Sequence, residues 1–575
     1  CPRGIAWAPP LPLRGRGKEF AMRANPDRAW ALFGLVLAGA VALPLAAVVW
    51  KAFAAEGGFL GHLAETVLPR YVGNTLWIVL GVGAGTIAGG VGAAWLVSLC
   101  RFPGRRIFEW ALLLPLAVPA YVVAYAYAGL FDAAGPVHAA LREWLGTDGA
   151  VSWYPNIRSL WGAVVVLTVV LYPYVYMLAR AAFLEQSVCV LEVSRTLGLT
   201  PWGSAWRVGL PLARPSIAVG AALALMEALN DFGAVQHFGV DTFVTAIYRV
   251  WQARGDATGA ALLALLLILF VVLLVWIERA SRGRAAFMHL SRRYRPLPAY
   301  ELKGWRAAGA IWFCCVPIFL GFLLPAAALG VWTLDRPEAF DARFWRLAAN
   351  SFILASGAAV LCVIFGGAIA YALRRSRRNR ALRAGSAIVG LGYAVPGAVI
   401  AVGVALILGG FDRLANALTG GASLWLSGGL FALYFAYAVR FLPIALGAVE
   451  SGFTRVTPHM DDAGRMLGYG PGGIFRRIHA PMLKGSILTA ALLVFVDVMK
   501  ELPATLMLRP FNFDTLAIRT YEFASDEQLK LAAPGALAIV AVGIVPVILL
   551  SRAIAKARPG TVNESSAAIQ ALRAA

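Results

Sequence analysis

Uncharged apolar segments long enough to cross a membrane recur along this chain. Residues 257–277 and 531–551 each run for 21 residues without a charged side chain. About 20 apolar residues in a helix span the hydrocarbon core of a bilayer, where every backbone polar group needs an internal partner. Charged residues make up only 14% of the 575, well below the roughly 25% of soluble domains. The sequence therefore predicts an all-α polytopic membrane protein.

Twelve such segments can be counted, six in each half of the chain. In the first half they lie near 29–50, 72–99, 107–131, 160–183, 215–235 and 257–277. In the second half they lie near 307–332, 349–373, 385–409, 424–449, 485–507 and 531–551. Because six is an even number, the second half re-enters the membrane with the same orientation, and we expect two parallel six-helix repeats.

The basic residues predict which loops face the cytoplasm. With the N-terminus inside, 35 of the 51 Lys and Arg residues fall in the inner segments and 13 in the outer loops. Cytoplasmic loops carry such an excess of Lys and Arg. We therefore expect about 12 transmembrane helices with both termini cytoplasmic. The net charge of +21 then reflects topology, and no nucleic-acid partner is predicted.

The same pattern divides the chain into five parts. Residues 1–28 are interpreted as a cytoplasmic leader or an artefact, because they lack the apolar core of a signal peptide. The other parts are a first repeat at 29–277 (core about 70–277), a basic cytoplasmic linker at 278–306, a second repeat at 307–551 (core about 349–551) and a cytoplasmic tail at 552–575. The six Cys form no CxxC pair, so neither a disulfide framework nor a stably bound metal is predicted.

A polar block between apolar runs occurs twice, 270 residues apart. The copies are Glu192-Val-Ser-Arg-Thr-Leu-Gly198 followed by Leu210-Pro211, and Asp462-Ala-Gly-Arg-Met-Leu-Gly468 followed by Ala480-Pro481. In each copy a short helix would end at a Gly that tolerates the left-handed conformation, and a second would begin at Pro201 or Pro471. The predicted product is a helix–turn–helix elbow on the cytoplasmic side, whose second helix would end before the later Pro.

The second helix of each elbow would carry an apolar face. In the first copy this face includes Trp202 and Trp206, and in the second Phe475 and Ile478. An apolar face on a rigid helix suits a groove on a partner protein. The alternative is that each loop packs against its own helix bundle.

This pattern, an acid six residues before a Gly and a Pro thirteen residues after it, resembles the EAA loop of importer-type ATP-binding cassette (ABC) permeases. In that family the loop inserts a coupling helix into the ATPase subunit, which implies that 201–209 and 471–479 are coupling helices. The implied ATPase-coupling residues are Glu192, Gly198, Pro201, Trp202, Trp206, Pro211, Asp462, Gly468, Pro471, Phe475, Ile478 and Pro481. The chain departs from the family motif, because Val-Ser and Ala-Gly follow the acids in place of Ala-Ala.

From about residue 70 to 555 the chain resembles fused two-repeat permeases, most closely those for ferric iron, in residues 226–233, 497–505 and 509–515. The resemblance implies a type I ABC importer permease fold in the bacterial inner membrane, surrounded by lipid. It implies two ABC ATPase subunits and a periplasmic iron(III)-binding protein as partners. ATP-Mg would sit on the ATPase subunits, with no cofactor or catalytic residue on this chain, which also lacks G-x-x-x-x-G-K-[ST].

Other functions remain open at this point. ABC permeases for thiamine, phosphonate or polyamines share much of the same frame. An ion-coupled secondary transporter would explain twelve helices and buried acids, but it would not explain two matched elbows. A membrane scaffold without transport is a third alternative.

Four acids lie inside predicted spans. Glu227 and Asp231 are four residues apart, as are Asp497 and Glu501, and the two pairs are again 270 residues apart. Residues four apart share a helix face, and intramembrane carboxylates usually face a cavity or a partner. Our hypothesis is that all four line the translocation path as oxygen ligands for Fe3+.

Two alternatives to this hypothesis stay open. The acids could pair with Lys500, Arg509 or backbone groups and hold helices together. Asp231 and Glu501 could instead lie at the outer mouth and contact the delivered binding protein.

Overall fold

The computed structural model describes residues 26–54, 61, 65–147, 151, 153–186, 196–282, 300–376 and 379–556. Eleven helices in these ranges are long and apolar enough to cross a membrane. A twelfth crossing results if the pair Arg105–Ala117 and Ala120–Leu145, bent by 88°, counts as one. The predicted all-helical fold with about twelve spans is therefore confirmed. The predicted leader up to residue 25, most of the basic linker and the tail after 556 lie outside the described residues.

The helices follow the predicted runs closely. In the first half they are Pro26–Phe53, Leu68–Leu99, Arg105–Ala111, Ala120–Phe131, Pro136–Leu145, Leu160–Glu185, Pro201–Ser204, Leu210–Asn230, Gly233–His237, Phe243–Arg254 and Ala257–Arg282. In the second half they are Trp305–Ile318, Leu324–Leu334, Ala342–Arg375, Arg380–Leu391, Gly397–Thr419, Leu430–Phe453, Pro458–Met466, Pro471–Ile474, Ala480–Met499, Pro503–Leu508, Leu516–Ser525 and Leu529–Lys556.

Shorter elements complete the architecture. There are π-helical turns at Ala205–Gly209, Phe319–Leu323 and Phe475–His479, and 3-10 turns at Leu114–Ala117 and Pro337–Ala339. The two strands described, Cys100–Arg101 and Tyr300–Glu301, form a two-residue parallel pair.

Small residues allow the central helices of each repeat to approach closely. In the first repeat a Cβ at Gly85 would lie 2.6 Å from Cγ2 of Thr168 on the neighbouring helix. In the second repeat a Cβ at Gly366 would lie 2.9 Å from the backbone nitrogen of Leu446. Small residues at helix contacts are typical of membrane proteins, where packing rather than water exclusion drives association. Both repeats thus use the same packing device.

The first helix of each repeat packs against the other repeat. A Cβ at Gly403, in the second repeat, would collide with the carbonyl oxygen of Pro44 on the first helix of the chain. A Cβ at Gly321, in the first helix of the second repeat, would collide with the carbonyl oxygen of Val169. The two halves are therefore interlocked rather than set side by side.

Local symmetry extends to single hydrogen bonds. The side-chain amide of Asn74 donates to the carbonyl oxygen of Asp241 at 2.8 Å. In the second repeat Asn350 donates to the carbonyl oxygen of Asp514 at 3.0 Å. Each bond ties the second span of a repeat to the loop before its last long helices.

Four of the predicted spans are interrupted, which corrects the sequence prediction. Runs 107–131 and 385–409 break just before Ala120 and Gly397, because the preceding Pro119 and Pro396 lack a backbone N–H and disfavour helix at the residue before them. Runs 215–235 and 485–507 also break, after Asn230 and after Met499. Residues at all four breaks line one cavity, which is part of the site described below.

Candidate functional site

The second elbow has the turn that the sequence predicts. Gly468 has φ +80°, the left-handed conformation that favours glycine. Its N–H donates to the carbonyl oxygen of Arg465 at 2.9 Å, and the N–H of Tyr469 donates to that of Gly464 at 3.0 Å. These two bonds form a Schellman cap, which ends helix Pro458–Met466 and turns the chain into the next helix.

The first elbow has a glycine in the same conformation. Gly198 also has φ +80°. The hydroxyl of Thr200 accepts a hydrogen bond from the N–H of Gly203 at 3.1 Å and caps the helix that follows. Residues 192–195 of the predicted first helix, Glu192 among them, lie outside the described residues, as do the side chains of Pro201, Trp202 and Pro471.

The second elbow helix does not end before the Pro, contrary to prediction. In both copies it continues through a π-helical turn, Ala205–Gly209 or Phe475–His479, into the next span. Pro211 and Pro481 remove one helical donor each, and a wider π turn accommodates the missing bond. Each elbow is therefore joined rigidly to the span that carries the intramembrane acids.

Part of the apolar face predicted for docking is internal. Ile474 is buried, and with Ile478 it packs on Gly464 of the first elbow helix, whose added Cβ would lie 3.0 Å from Cδ1 of Ile478. Phe475 packs edge-on against Tyr371, with ring centroids 5.6 Å apart. The alternative that the loop packs against its own bundle therefore holds for this part of the face.

Other apolar side chains on the elbows are exposed. Trp206 is 64% exposed, and Leu197 and Leu467, at equivalent positions before the cap glycines, are 77% and 73% exposed. Met466 is 89% exposed. We did not single out these last three from the sequence, although the duplicated Leu-Gly pair was the signal that could have identified two of them.

A buried ion pair fixes the second elbow to the bundle. The carboxylate of Asp461 accepts a hydrogen bond from Nε2 of the buried His479 at 2.7 Å and pairs with Arg374 at 2.8 Å. Arg374 also donates to the carbonyl oxygen of Val456 at 2.9 Å. Burial raises the pKa of Asp461, but the hydrogen bonds and charges of His479 and Arg374 outweigh burial and hold it below its ordinary value.

The elbows lie at one end of the bundle, and an ion-pair cluster lies at the other. At the elbow end, Gln186 follows helix Leu160–Glu185 and donates to the carbonyl oxygen of Gly209 at 2.8 Å. At the opposite end, Arg158 precedes the same helix and pairs with Glu527 at 2.6 Å and Asp132 at 2.9 Å. The cluster joins the two repeats at the end remote from the elbows.

Between these ends, the four helix breaks enclose a cavity of about 70 Å³ between the repeats. This volume is large enough for several water molecules. All four predicted acids line it, together with the cations Lys500 and Arg440. Four carboxylates against two cations leave the lining with a net formal charge of −2. The structure thus brings the four acids together around one cavity.

The two acids at the breaks act as helix caps. Asp231 accepts a hydrogen bond from the N–H of Ala234 at 2.8 Å. Glu501 accepts from the N–H groups of Ala504 and Thr505, both at 2.9 Å, and from the Thr505 hydroxyl at 2.5 Å. The expectation that each pair shares one helix face is wrong, because the helices end before Asp231 and Glu501, whose carboxylates bind the freed N–H groups that follow.

The two inner acids differ from each other. Asp497 pairs with Lys500 at 3.0 Å. Within the described ranges, no hydrogen bond or ion pair holds the carboxylate of Glu227. Arg509, which we considered as a partner for these acids, instead pairs with Glu522 at 3.0 Å and with Asp514. The first repeat therefore contributes the less constrained carboxylate to the cavity.

Asn230 bridges the two repeats at the cavity wall. Its side-chain oxygen accepts from the N–H of Gly397 at 2.8 Å and from Nη1 of Arg440 at 2.7 Å, both in the second repeat. The hydroxyls of Tyr174 and Tyr393 also interact across the repeats. Among the described residues, no group of three or more His, Cys, Asp or Glu side chains is arranged to hold a metal ion.

Comparison with known protein families shows which family this chain belongs to. Residues 81–285 and 363–558 each match the family described as binding-protein-dependent transport system inner membrane component. The chain belongs to this family. It is thus an ABC importer permease built from two fused copies, a multi-pass protein of the bacterial inner membrane. Membership implies an ATPase and a periplasmic binding protein as partners.

The permease has relatives with different cargoes. It is 27% identical to the Fe(3+)-transport system permease protein FbpB 2 of Haemophilus influenzae, over 91% of this chain and 98% of that protein. It is 32% identical to the molybdenum transport system permease protein ModB of Escherichia coli K12, over 34% of this chain and 87% of ModB. A putative 2-aminoethylphosphonate permease, PhnU of Salmonella choleraesuis, is 26% identical over 44% of this chain and 90% of PhnU.

Five polar residues of the permease cavity escaped the sequence analysis: Asn230, Arg440, Tyr121, Tyr174 and Tyr393. Arg440 carried a signal, because it is one of three cations inside the predicted spans, and such residues usually mark a pathway or a partner. The three tyrosines and the asparagine carried none, because polar side chains without charge are common in apolar runs.

Proposed function

We propose that this permease carries ferric iron, received from a periplasmic iron(III)-binding protein, and that two separate ABC ATPase subunits supply the energy. The single observation that carries the proposal is the acid-lined cavity between the repeats. Iron is cargo at this site, so weak and transient binding suffices. The FbpB 2 resemblance over nearly the whole length of both chains supports the same cargo.

The charge of the cavity favours a cation over an oxyanion. Its lining has a net formal charge of −2, and carboxylate oxygens are the hard ligands that hard cations prefer. A molybdate or phosphonate anion would meet like charges, whose repulsion is strong where little water screens it. For this chain the argument favours iron over the anionic cargoes that the relatives named for molybdenum and 2-aminoethylphosphonate would suggest.

Asp497 has a cationic partner and Glu227 has none among the described residues, and this difference suggests how the cavity binds a cation that passes through it. Lys500 neutralises Asp497, and Glu227 is less constrained. An arriving cation is attracted first to Glu227 and then displaces Lys500 from Asp497. Such an exchange keeps binding reversible, because a permeant ion must also leave.

The elbows provide the surface for the ATPase subunits. Their exposed apolar side chains, including Trp206 and Leu467, suit a groove on a partner. The rigid continuation of each elbow into an acid-bearing span offers a direct mechanical connection to the cavity. Since one chain holds two elbows, one copy is expected to bind two ATPase subunits, with the elbows and both termini in the cytoplasm.

Transport by the reconstituted complex tests the role of the cavity. We expect Glu227→Gln and Asp497→Asn each to reduce ATP-driven uptake of radioactive ferric iron by about tenfold, equivalent to about 1.4 kcal/mol of barrier. Glu338→Gln, on an exposed carboxylate remote from the cavity, is the matched control and should leave uptake unchanged. Undiminished iron uptake by both cavity variants would contradict the pathway role.

A second measurement tests cargo and energy source. Uptake of ferric iron and uptake of molybdate are each measured in the presence and in the absence of the ATPase subunits. Native mass spectrometry then gives the mass of the complex. We expect iron uptake that requires ATP, and one permease with two ATPases. Preferred molybdate uptake, or iron uptake driven by an ion gradient in the isolated chain, would overturn the proposal.

A further inference from the structure

Two buried tyrosines beside the cavity have hydroxyls without a protein partner. Tyr121 is 4% exposed and lines the cavity, and Tyr125, one turn further on helix Ala120–Phe131, is 2% exposed. Among the described residues, neither hydroxyl has a hydrogen-bond partner. A buried polar group without a partner is rare in proteins because its desolvation is not offset. These two hydroxyls therefore call for a functional explanation.

The other deeply buried tyrosines nearby do not share this property. The hydroxyl of Tyr127, on the same helix, donates to the carbonyl oxygen of Leu320 at 3.0 Å. Those of Tyr172 and Tyr176 donate to the carbonyl oxygens of Leu112 and Glu109 at 2.9 and 3.0 Å. The fold thus provides a hydrogen-bond acceptor for the hydroxyl of each of these tyrosines, which have only a packing role. It provides none among the described residues for Tyr121 and Tyr125.

The unpaired groups form a row between the cavity and the ion-pair cluster of Arg158, Glu527 and Asp132. The rings of Tyr121 and Tyr125 lie 5.6 Å apart, and that of Tyr125 lies 4.8 Å from His237. Nε2 of His237 also lacks a partner among the described residues. Tyr121 lies within electrostatic reach of Asp231 and of Glu501, which belongs to the other repeat.

At its far end the row reaches the cluster that joins the repeats. His237 lies within electrostatic reach of Arg158, Glu527 and Asp132. The row therefore leads from the end remote from the elbows to the acids of the cavity. A cation that followed this row to the cavity would meet the two phenols before the inner acids.

We propose that Tyr121 and Tyr125, with the Asp231 carboxylate beside them, form a transient ligand site for a hard trivalent cation at the outer entrance of the cavity. The inference rests on the proposed function and names the residues that first receive the cargo. A bound phenol forms a metal–oxygen bond as its O–H proton passes to water, and no oxidation state changes. The phenolate is a hard anionic oxygen donor, a ligand that ferric iron accepts elsewhere in proteins.

Phenols suit this position better than further carboxylates would. A neutral phenol adds no charge to an apolar wall when the cargo is absent, and it becomes an anionic ligand only when a strongly polarising cation arrives. An extra carboxylate would add to the repulsion among the existing acids. The site thereby discriminates a trivalent cation from monovalent and divalent ions.

Optical spectroscopy of the full chain tests the site without reference to transport. The chain is reconstituted in lipid nanodiscs and titrated with Fe3+ as its nitrilotriacetate complex. We expect a visible phenolate-to-iron charge-transfer band in the native chain and in the control Tyr127→Phe. The band should weaken in Tyr121→Phe and in Tyr125→Phe and be lost in the double variant. Because the removed hydroxyls hold no protein partner, the thermal unfolding midpoint should not fall, whereas Tyr127→Phe loses a hydrogen bond.

Iron uptake by the complete complex separates the two proposals. If the native complex takes up iron but the double variant does so equally well and shows the same absorption as the native chain, the tyrosine site is refuted and the proposed function stands. If the native complex takes up another solute and not iron, the proposed function fails. Loss of both the band and iron uptake in the double variant, with both retained in Tyr127→Phe, supports the site.

Discussion

The two elbows and the two acid pairs are both duplicated, but duplication has preserved them differently. Gly198 and Gly468 have the same φ of +80°. Asn230 and Lys500 also occupy equivalent positions, yet Asn230 bridges to the other repeat while Lys500 pairs with Asp497. Under the proposed function each elbow binds an ATPase subunit of its own, which explains why both copies keep their geometry. The acids share one cavity, so one copy is free to change its chemistry.

The largest loss of stability is expected at Lys500, where the second repeat has a lysine in place of the asparagine of the first. Lys500→Asn gives the second repeat the residue of the first and leaves Asp497 without its partner. Breaking a buried ion pair typically costs 3–5 kcal/mol, and because both side chains are about one-fifth exposed we expect about 2–3 kcal/mol. The free energy of unfolding in detergent measures the loss.

Two variants sharpen this result. The double variant Asp497→Asn/Lys500→Asn removes both charges and should recover most of the lost stability. Lys484→Asn, on an exposed lysine at the start of the same helix, should have almost no effect. If Lys500→Asn is as stable as the native permease, the ion pair does not distinguish the repeats.

The two capping acids, Asp231 and Glu501, should also contribute unequally to the free energy of unfolding. The difference between them should be smaller than the effect of Lys500→Asn. Glu501 accepts three hydrogen bonds from Ala504 and Thr505, whereas Asp231 accepts one from Ala234. Removing a cap costs about 0.5–2 kcal/mol, and buried bonds to a charged group are worth more. We expect Glu501→Ala to lower the free energy of unfolding by about 2–3 kcal/mol and Asp231→Ala by about 1 kcal/mol.

Shortened side chains alone could also cause such a difference, so a second comparison is needed. Glu501→Gln keeps the length and one acceptor oxygen, and it should retain roughly half of the stability lost in Glu501→Ala. Equal losses in Glu501→Ala and Asp231→Ala would show that the hydrogen bonds to these acids do not set the difference.

The sequence predicted the membrane class, twelve spans, the duplication and the left-handed glycines, because each depends on local pattern. It also predicted which acids share the cavity. It missed the helix breaks at Asp231 and Glu501, because the apolar runs continue through them, although Gly233 and Pro503 marked the new helix starts. It could not predict the bond from Arg440 to Asn230, which joins residues 210 positions apart with no local signature.

Equivalent substitutions in the two elbows should have equal effects on stability, whereas equivalent substitutions in the two halves of the cavity should not. A Cβ at Gly198 or Gly468 would meet no atom within 4 Å, so alanine there is penalised only by the left-handed backbone. That penalty is about 1–2 kcal/mol for an ordinary residue. We expect Gly198→Ala and Gly468→Ala to lower the free energy of unfolding by equal amounts of about 1 kcal/mol, and to weaken ATPase binding equally.

The matched control for the elbow substitutions is Gly472→Ala, which also meets no atom but has an ordinary helical backbone. This substitution should be neutral or slightly stabilising, because alanine favours helix more than glycine does. Clearly unequal losses in the two elbow variants would break the comparison, since they would show that duplication has not kept the elbows equivalent.

The smallest effect is expected at the ion-pair cluster remote from the elbows, which is partly exposed and joins the repeats. The hydrogen bond from Arg158 lowers the pKa of Glu527, so the bond stabilises the fold at neutral pH and is lost as the pH falls through that lowered value. Because Glu527 is more than half exposed, solvent screens the pair and limits its contribution to about 1 kcal/mol. Glu527→Gln should remove this part of the pH dependence below about pH 4, and added salt should mimic the substitution. A pH profile of unfolding that is the same in the native permease and in Glu527→Gln would show that the repeats are held together by their interlocked helices and cavity wall alone.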